Sequence, residues 1–285
     1  MSMCTALRLK KDYNMIITPL ISHEAKLHIQ NKLQQVAKEQ DVQILLAVES
    51  GSRAWGFPSK DSDYDVRFIY VRKKNTYLSV KNYRDVIEVP VLYDEVLGVP
   101  FDLNGWDIRK ALQLALKSNP VLIEWLVSPV CYMSDFNIIT KIKTFAQKIA
   151  NLHTFCYHYH NVAKNSWQQI QESPEQVRLK LYCYALRPIL VLQWMLIHQQ
   201  TPPMHMQALC NGVNADHKLL EEIKDLINKK LIANEKDLIK RNFILDSYIS
   251  HILENKAGYS KEILENTEFI EQADNLFRDI VFKST

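Results

Sequence analysis

The sequence predicts an α/β head followed by a nearly all-helical region, and three observations carry that expectation. An apolar run over residues 44–48 ends in Gly51-Ser52; ten residues follow, and a second apolar run opens with Asp63 and Asp65 at its start. A third short run, Phe101-Asp102-Leu103, again sets one acid between apolar neighbours. Beyond Gly105 the apolar spacing turns helical, and from about residue 136 no strand-like alternation stands out.

In chain order, a loose tail leads into a helix whose apolar positions are Ile21, Ala25, Leu27, Ile29, Leu33 and Val36. Strands are expected near 43–50 and 64–71, where Val66, Phe68, Ile69 and Tyr70 are strand formers. Residues 73–100 form a long excursion, with hairpin-forming strands in VIEVPVLYDEVLGVPFDL and two prolines suited to edges or turns. Asp107 is an N-cap for a helix over 108–118 that stops before Asn119-Pro120, and residues 121–127 read as a further helical turn or two. The segment KLYCYALRPILVLQWMLIHQQ is apolar on nearly every face, which predicts a buried central helix containing Pro188. The expected domains are 1–130 and 131–285, with a ligand cleft between them.

Residues two apart in a strand share a face, so Asp63 and Asp65 project together. Adjacent carboxylates repel unless protons or cations neutralise them, and hard oxygen donors suit Mg²⁺. Gly51 allows a sharp turn, and Ser52 can cap the short stretch Arg53-Ala54-Trp55, whose free N–H groups would attract phosphate. Magnesium ligands facing a phosphate cradle point to nucleoside triphosphate chemistry. Neither G-x-x-x-x-G-K-[ST] nor G-x-G-x-x-G occurs, which argues against a P-loop or a dinucleotide fold.

Gly-Ser, about ten residues, Asp-x-Asp and a later strand acid together resemble the polymerase-β type nucleotidyltransferase superfamily. The stretches GSRAWGF, SKDSDYDVRF, GWDIRKALQLALKSNPVLIEWL, LYCYALRPILVLQW and PPM are similar to the YcgL-like family of predicted nucleotidyltransferases, also called RNA-ligase-associated polymerase-β-like proteins. This resemblance is densest over residues 44–207. It implies a head with a small mixed sheet and a third catalytic acid, assigned to Asp102 with Asp107 as second choice. It implies two Mg²⁺ ions, with Mn²⁺ as a substitute, held by Asp63, Asp65 and Asp102, and a phosphate cradle at Gly51 and Ser52. It also implies transfer of a nucleoside monophosphate to an RNA 3′ end, and an RNA ligase or another repair protein as partner. A protein or small-molecule hydroxyl stays open as acceptor, as does a catalytically silent nucleotide-binding scaffold.

Other polar residues have two readings. Arg53 is expected to clamp a β- or γ-phosphate, or else to brace its loop. Lys180, Tyr184 and Arg187 are spaced i, i+4, i+7, a basic-aromatic stripe suited to a nucleotide, or else a core tyrosine with surface cations. His153, His158 and His160 lack the acid or cysteine that would complete a zinc set. Trp55 and Phe57 are expected to pack the loop, and Trp106 to anchor the third strand.

Composition suits a folded protein: 47% hydrophobic, 24% charged, net charge +3 over 285 residues. That charge is too small to establish nucleic-acid binding. Five scattered cysteines without a CxxC pair predict reduced thiols and a cytoplasmic location. No signal peptide or run of transmembrane length was expected, so the protein is predicted to be soluble and without a membrane partner.

Overall fold

A computed structural model describes residues 21–173, 175–254 and 267–283. The N-terminal tail and Cys4 lie outside these residues.

Helix α1 (His23–Glu39) is capped by Ser22, whose hydroxyl accepts from the Ala25 N–H, and it buries Ala25, Ile29, Leu33 and Val36. Leu27, grouped with them on sequence, falls between these positions on the helix and is exposed. The head continues through β1 (Val42–Glu49), α2 (Gly51–Trp55), β2 (Tyr64–Arg72), α3 (Lys74–Tyr77), β3 (Val86–Asp94) and β4 (Val99–Asp107). Next come α4 (Ile108–Leu116), α5 (Pro120–Leu126) and β5 (Cys131–Ser134).

The sheet order is β3-β4-β2-β1-β5. Strands β2 and β4 are parallel; the other neighbours are antiparallel. Parallel neighbours need a long crossover, and this gives the 73–100 excursion its role, its last two residues already lying in β4. It carries the chain back along β3 so that β4 runs beside β2. Strand β5 pairs with β1 from just past the 130/131 boundary expected on sequence, so the sheet is completed by residues assigned to the second domain.

The remaining elements are α6 (Phe136–Lys148), α7 (Leu152–Gln171), β6 (Gln176–Arg178), α8 (Leu179–His198), α9 (Met206–Gly212), α10 (His217–Ile232), β7 (Leu238–Lys240), α11 (Phe243–Glu254) and α12 (Thr267–Lys283). The β6–β7 pair is the exception in this nearly all-helical region; at three residues each, its strands are too short to show alternation.

One face of the sheet packs Ala47, Val66, Phe68, Tyr70 and Leu103 against α1. The other packs Leu45, Ile69 and Val71 into a core that runs without a break through α4, α6, α7 and α8. Helix α8 buries Tyr182, Cys183, Leu186, Ile189 and Leu190 completely, as its all-round apolar sequence requires. By length and composition it is the one described helix that could cross a membrane, although 61% of that window is buried in the core.

Candidate active site

The parallel register sets Asp65 directly beside Asp102. Arg67, two residues along β2 and therefore on the same face, lies between them. Its Nη2 donates to Asp102 Oδ2 at 2.7 Å and to Asp65 Oδ1 at 3.0 Å. Asn104 Nδ2 donates to Asp102 Oδ1 at 2.5 Å. Burial, followed by the charges of Asp63 and Asp102, pushes the Asp65 carboxyl up to about 6 despite Arg67. Asp63 is also raised, first by burial and then by Glu235 and Asp102.

Asp65 packs against the start of α2. Gly51 has φ +61°, and a Cβ there would lie 2.0 Å from Asp65 Oδ2, so only glycine permits this approach. The Ser50 N–H donates to the Asp65 carbonyl at 2.8 Å. Ser52 is buried, with its hydroxyl 3.2 Å from that of Ser62. Beneath the site, fully buried Glu49 accepts from the Asp65 N–H at 2.9 Å and the Tyr132 hydroxyl at 2.6 Å. Burial raises Glu49 to about 8. It was missed on sequence, where the only signal was an acid at the end of a long apolar run.

The loop before Asp63 is tied to the far end of the chain. Glu235 Oε1 accepts from Ser59 at 2.6 Å, Ser62 at 3.0 Å and Lys230 Nζ at 2.6 Å. Lys230, completely buried, also donates to Ser59 at 2.8 Å. Two backbone bonds complete the tie: Lys60 N–H to the Ala233 carbonyl at 3.1 Å, and Glu235 N–H to Asp61 Oδ1 at 2.8 Å. No motif marked Lys230 or Glu235.

Of the α8 stripe, two residues flank the acids. Lys180 pairs with Glu235 Oε2 at 3.3 Å. Tyr184 packs edge-on against Trp55 with ring centroids 5.5 Å apart. Burial and the charges of Glu235, Asp65 and Asp63 all raise its phenol. Arg187 is placed otherwise than expected. It is 4% exposed, lies over Trp55, and donates to Glu124 Oε1 at 2.7 Å and the Met204 carbonyl at 3.1 Å. Its donors hold α5 and the segment after α8.

Arg53 likewise braces its loop. It donates to the Ser62 and Asp63 carbonyls at 2.6 and 3.0 Å and stacks on Tyr64. Asp107 lies at the opposite end of β4 from Asp102; it caps α4 through the Arg109 N–H and accepts from Tyr77. Trp106 stacks on Trp125 with centroids 3.7 Å apart, fixing β4 to α5. Among the described residues, His153, His158 and His160 belong to no metal-ligating group.

The donor chemistry of Asp63, Asp65 and Asp102 fits a hard divalent cation. Asp65 is raised first by its burial and then by the neighbouring Asp63 and Asp102 charges, which Arg67 only partly offsets. As the side chains stand, no three His, Cys, Asp or Glu groups among the described residues converge on one ion, because the Arg67 guanidinium fills the space between Asp65 and Asp102.

Comparison with known proteins agrees with this head. A family model described as "RlaP: RNA repair pathway DNA polymerase beta family" matches residues 25–279. The chain is 40% identical over 238 residues to "Uncharacterized protein YcgL" of Bacillus subtilis (strain 168), covering 84% of this chain and 89% of that one. A crystal structure of a nucleotidyltransferase-like protein from Exiguobacterium sibiricum 255-15 aligns over 88% of this chain and 79% of its own, with TM-score 0.28 and 9% identity, too distant to inform the site. With a family model spanning nearly its whole length and a close relative over most of it, the chain belongs to the RNA repair pathway DNA polymerase beta family.

Proposed function

We propose that this protein transfers a nucleoside monophosphate from a nucleoside triphosphate to an acceptor hydroxyl, releasing pyrophosphate, and that the acceptor is an RNA 3′ end. The observation that carries the reading is Asp65 held beside Asp102 on parallel strands, with Asp63 at the mouth and the start of α2 packed on Asp65. The family description, which places its members in an RNA repair pathway, supports RNA and repair proteins as partners; an RNA ligase is the candidate we propose among them.

Asp63, Asp65 and Asp102 would hold two Mg²⁺ ions, or Mn²⁺, after Arg67 releases the Asp65–Asp102 pair. Such ions supply charge neutralisation at the triphosphate and a lower pKa at the attacking hydroxyl. The chain's own residues do the positioning. Asp102, oriented by Asn104, accepts the acceptor's proton. Backbone N–H groups at Gly51 and Ser52 face the β- and γ-phosphates, since the Ser52 hydroxyl is engaged with Ser62. Tyr184 offers an aromatic wall for the base, and Lys180 a cation for the phosphates. Rate enhancement then comes mainly from alignment and charge neutralisation. Four free thiols among the described residues suit a cytoplasmic location.

The test uses each labelled NTP with Mg²⁺ or Mn²⁺ and a short single-stranded RNA, beside Asp63→Asn/Asp65→Asn. Extension by the wild type alone is expected. Equal extension by the variant would refute the site, and metal-dependent NTP binding without extension would move the acceptor to a protein or small molecule.

A further inference from the structure

Away from the carboxylates, at the opposite end of β2, lies a cleft of about 80 Å³ lined by Arg72, Lys81, Arg84 and Arg109 with Thr76 and Ser79. Arg72 and Asp65 are seven residues apart on one strand, roughly 23 Å at about 3.3 Å per residue. The two sites are separate.

The cleft carries more positive charge than its own acids offset. Residues 72–84, RKKNTYLSVKNYR, hold five cations and no acid. Of the lining acids, Asp107 caps α4, accepts from the Tyr77 hydroxyl and lies within the field of Arg72 and Arg109, and Asp85 pairs with Lys110 at 3.1 Å. Arg84 has Glu88 at 2.8 Å. Among the described residues, Arg72, Lys81 and Arg109 have no carboxylate within ion-pair distance. Arg109 is held over Tyr77 and Phe277, and both Arg72 and Lys81 lie over the Tyr83 ring. A second observation points the same way. Arg72 Nε is buried without an acceptor; the guanidinium's other contacts are a 3.4 Å bond from Nη1 to the Gln40 carbonyl and the neighbouring Tyr70 hydroxyl. A buried guanidinium donor without an acceptor is costly, and a phosphate oxygen is the acceptor a planar guanidinium fits best.

We infer that the cleft between α3, the 78–85 segment and the start of α4 is a second ligand site, selective for a phosphate group. Arg72, Lys81 and Arg109 supply the charge, the Thr76 and Ser79 hydroxyls add neutral donors, and Tyr83 closes one side. The phosphate belongs either to a nucleic-acid backbone or to a small phosphorylated molecule. The site does not depend on metal chemistry at Asp63, Asp65 and Asp102.

The test is calorimetry on the full chain in the Asp63→Asn/Asp65→Asn background, which removes the other acidic cluster from the measurement. The titrants are inorganic phosphate, AMP and a 12-nucleotide single-stranded RNA. Two further variants are compared: Lys81→Gln/Arg109→Gln, and Lys81→Glu, an exposed position where folding is not at risk. Both should weaken binding about tenfold, and the double neutralisation should reduce the slope of log affinity against log salt for the RNA by roughly 1.4, at about 0.7 per single-strand phosphate contact. Binding of phosphate or AMP would identify a small-molecule site; binding of the RNA alone would identify a backbone site. No binding of any titrant, or a loss in the double variant that Lys81→Glu does not share, would overturn the inference.

Discussion

Changing Glu235 to alanine strands the ammonium group of Lys230 in the interior. The Lys230 side chain is 1% exposed and its Nζ sits 2.6 Å from Glu235 Oε1, with the Ser59 hydroxyl as its other acceptor at 2.8 Å. Removing one partner of such a pair costs about 3–5 kcal/mol, because the remaining charge stays desolvated and uncompensated. The loss of the acceptor for Ser59 and Ser62 acts in the same direction. For a chain of this size each kcal/mol lowers Tm by roughly 2 °C, so Glu235→Ala should melt about 6–10 °C below the wild type in differential scanning fluorimetry.

The decisive comparison is Lys230→Met/Glu235→Ala. Methionine fills similar space without charge, so the double variant should recover most of the loss. Lys180→Met provides the contrast: Lys180 shares Glu235 from a side chain 35% exposed, and it should cost under about 1 kcal/mol. A Glu235→Ala change below about 1 kcal/mol, or a double variant no more stable than the single, would refute the reasoning. The same pair sets a pH dependence. Burial works to raise the Glu235 carboxyl, but Lys230 and the two serines outweigh it and bring it from 4.5 down to about 2. A depressed carboxylate contributes stability that is full above pH 4.5 and is lost as pH falls towards 2. At 1.36 kcal/mol per pH unit the ceiling is about 3 kcal/mol, reduced by solvent at the exposed part of the side chain. Lys230→Met/Glu235→Ala should lack that acid-side loss.

Three further outcomes follow from the acid cluster. Gly51→Ala should lower Tm and displace Asp65, because it adds about 1–2 kcal/mol of left-handed backbone strain to a Cβ placed 2.0 Å from Asp65 Oδ2; an unchanged Tm and unchanged Mn²⁺ binding would contradict it. Arg67→Gln should bind Mn²⁺ several-fold more tightly in a paramagnetic titration, since the guanidinium no longer competes for Asp65 and Asp102; weaker binding would make Arg67 a support of the site rather than a competitor. Asp63→Asn should abolish transfer and leave Tm within about 1 °C, as expected for a half-buried residue outside the core.

Sequence made the acids legible because strand geometry is periodic. Alternation predicts that Asp63 and Asp65 share a face, although β2 begins only at Tyr64, and the acid inside Phe101-Asp102-Leu103 does sit in a strand of its own. Pairing could not be read the same way: that Asp102 rather than Asp107 meets Asp65 depends on the parallel register. Arg187 shows the limit of a helical stripe. Seven residues along α8 return to the same face but move about 10 Å along the axis, from the rim near Lys180 into the core beside Glu124. Glu49 left only its place at the end of an apolar run, and Lys230 and Glu235 left no local mark, for Lys230 meets Ser59 across 171 positions. Such contacts are set by tertiary packing, to which spacing rules are blind.

These long-range contacts explain why the head is not built as an independent unit. Asp63 ends a loop whose conformation is fixed by Arg53 from within and by Glu235 and Lys230 from the helical side. Three carboxylates with only Arg67 between them repel one another, and an untethered loop would relieve the strain by swinging Asp63 into solvent. The Lys230–Glu235 pair resists that swing with a buried charge that has no other place to go. Its carboxylate also raises Asp63 further, so that Asp63 gives up its proton less readily until a cation arrives. A helical region that only covered the sheet could do so with apolar contacts alone. One that inserts a fully buried lysine beneath the acid-bearing loop is holding that loop in a particular conformation. If so, Lys230→Met/Glu235→Ala should regain its melting temperature without regaining Mn²⁺ affinity, and recovery of both together would show that packing alone positions Asp63.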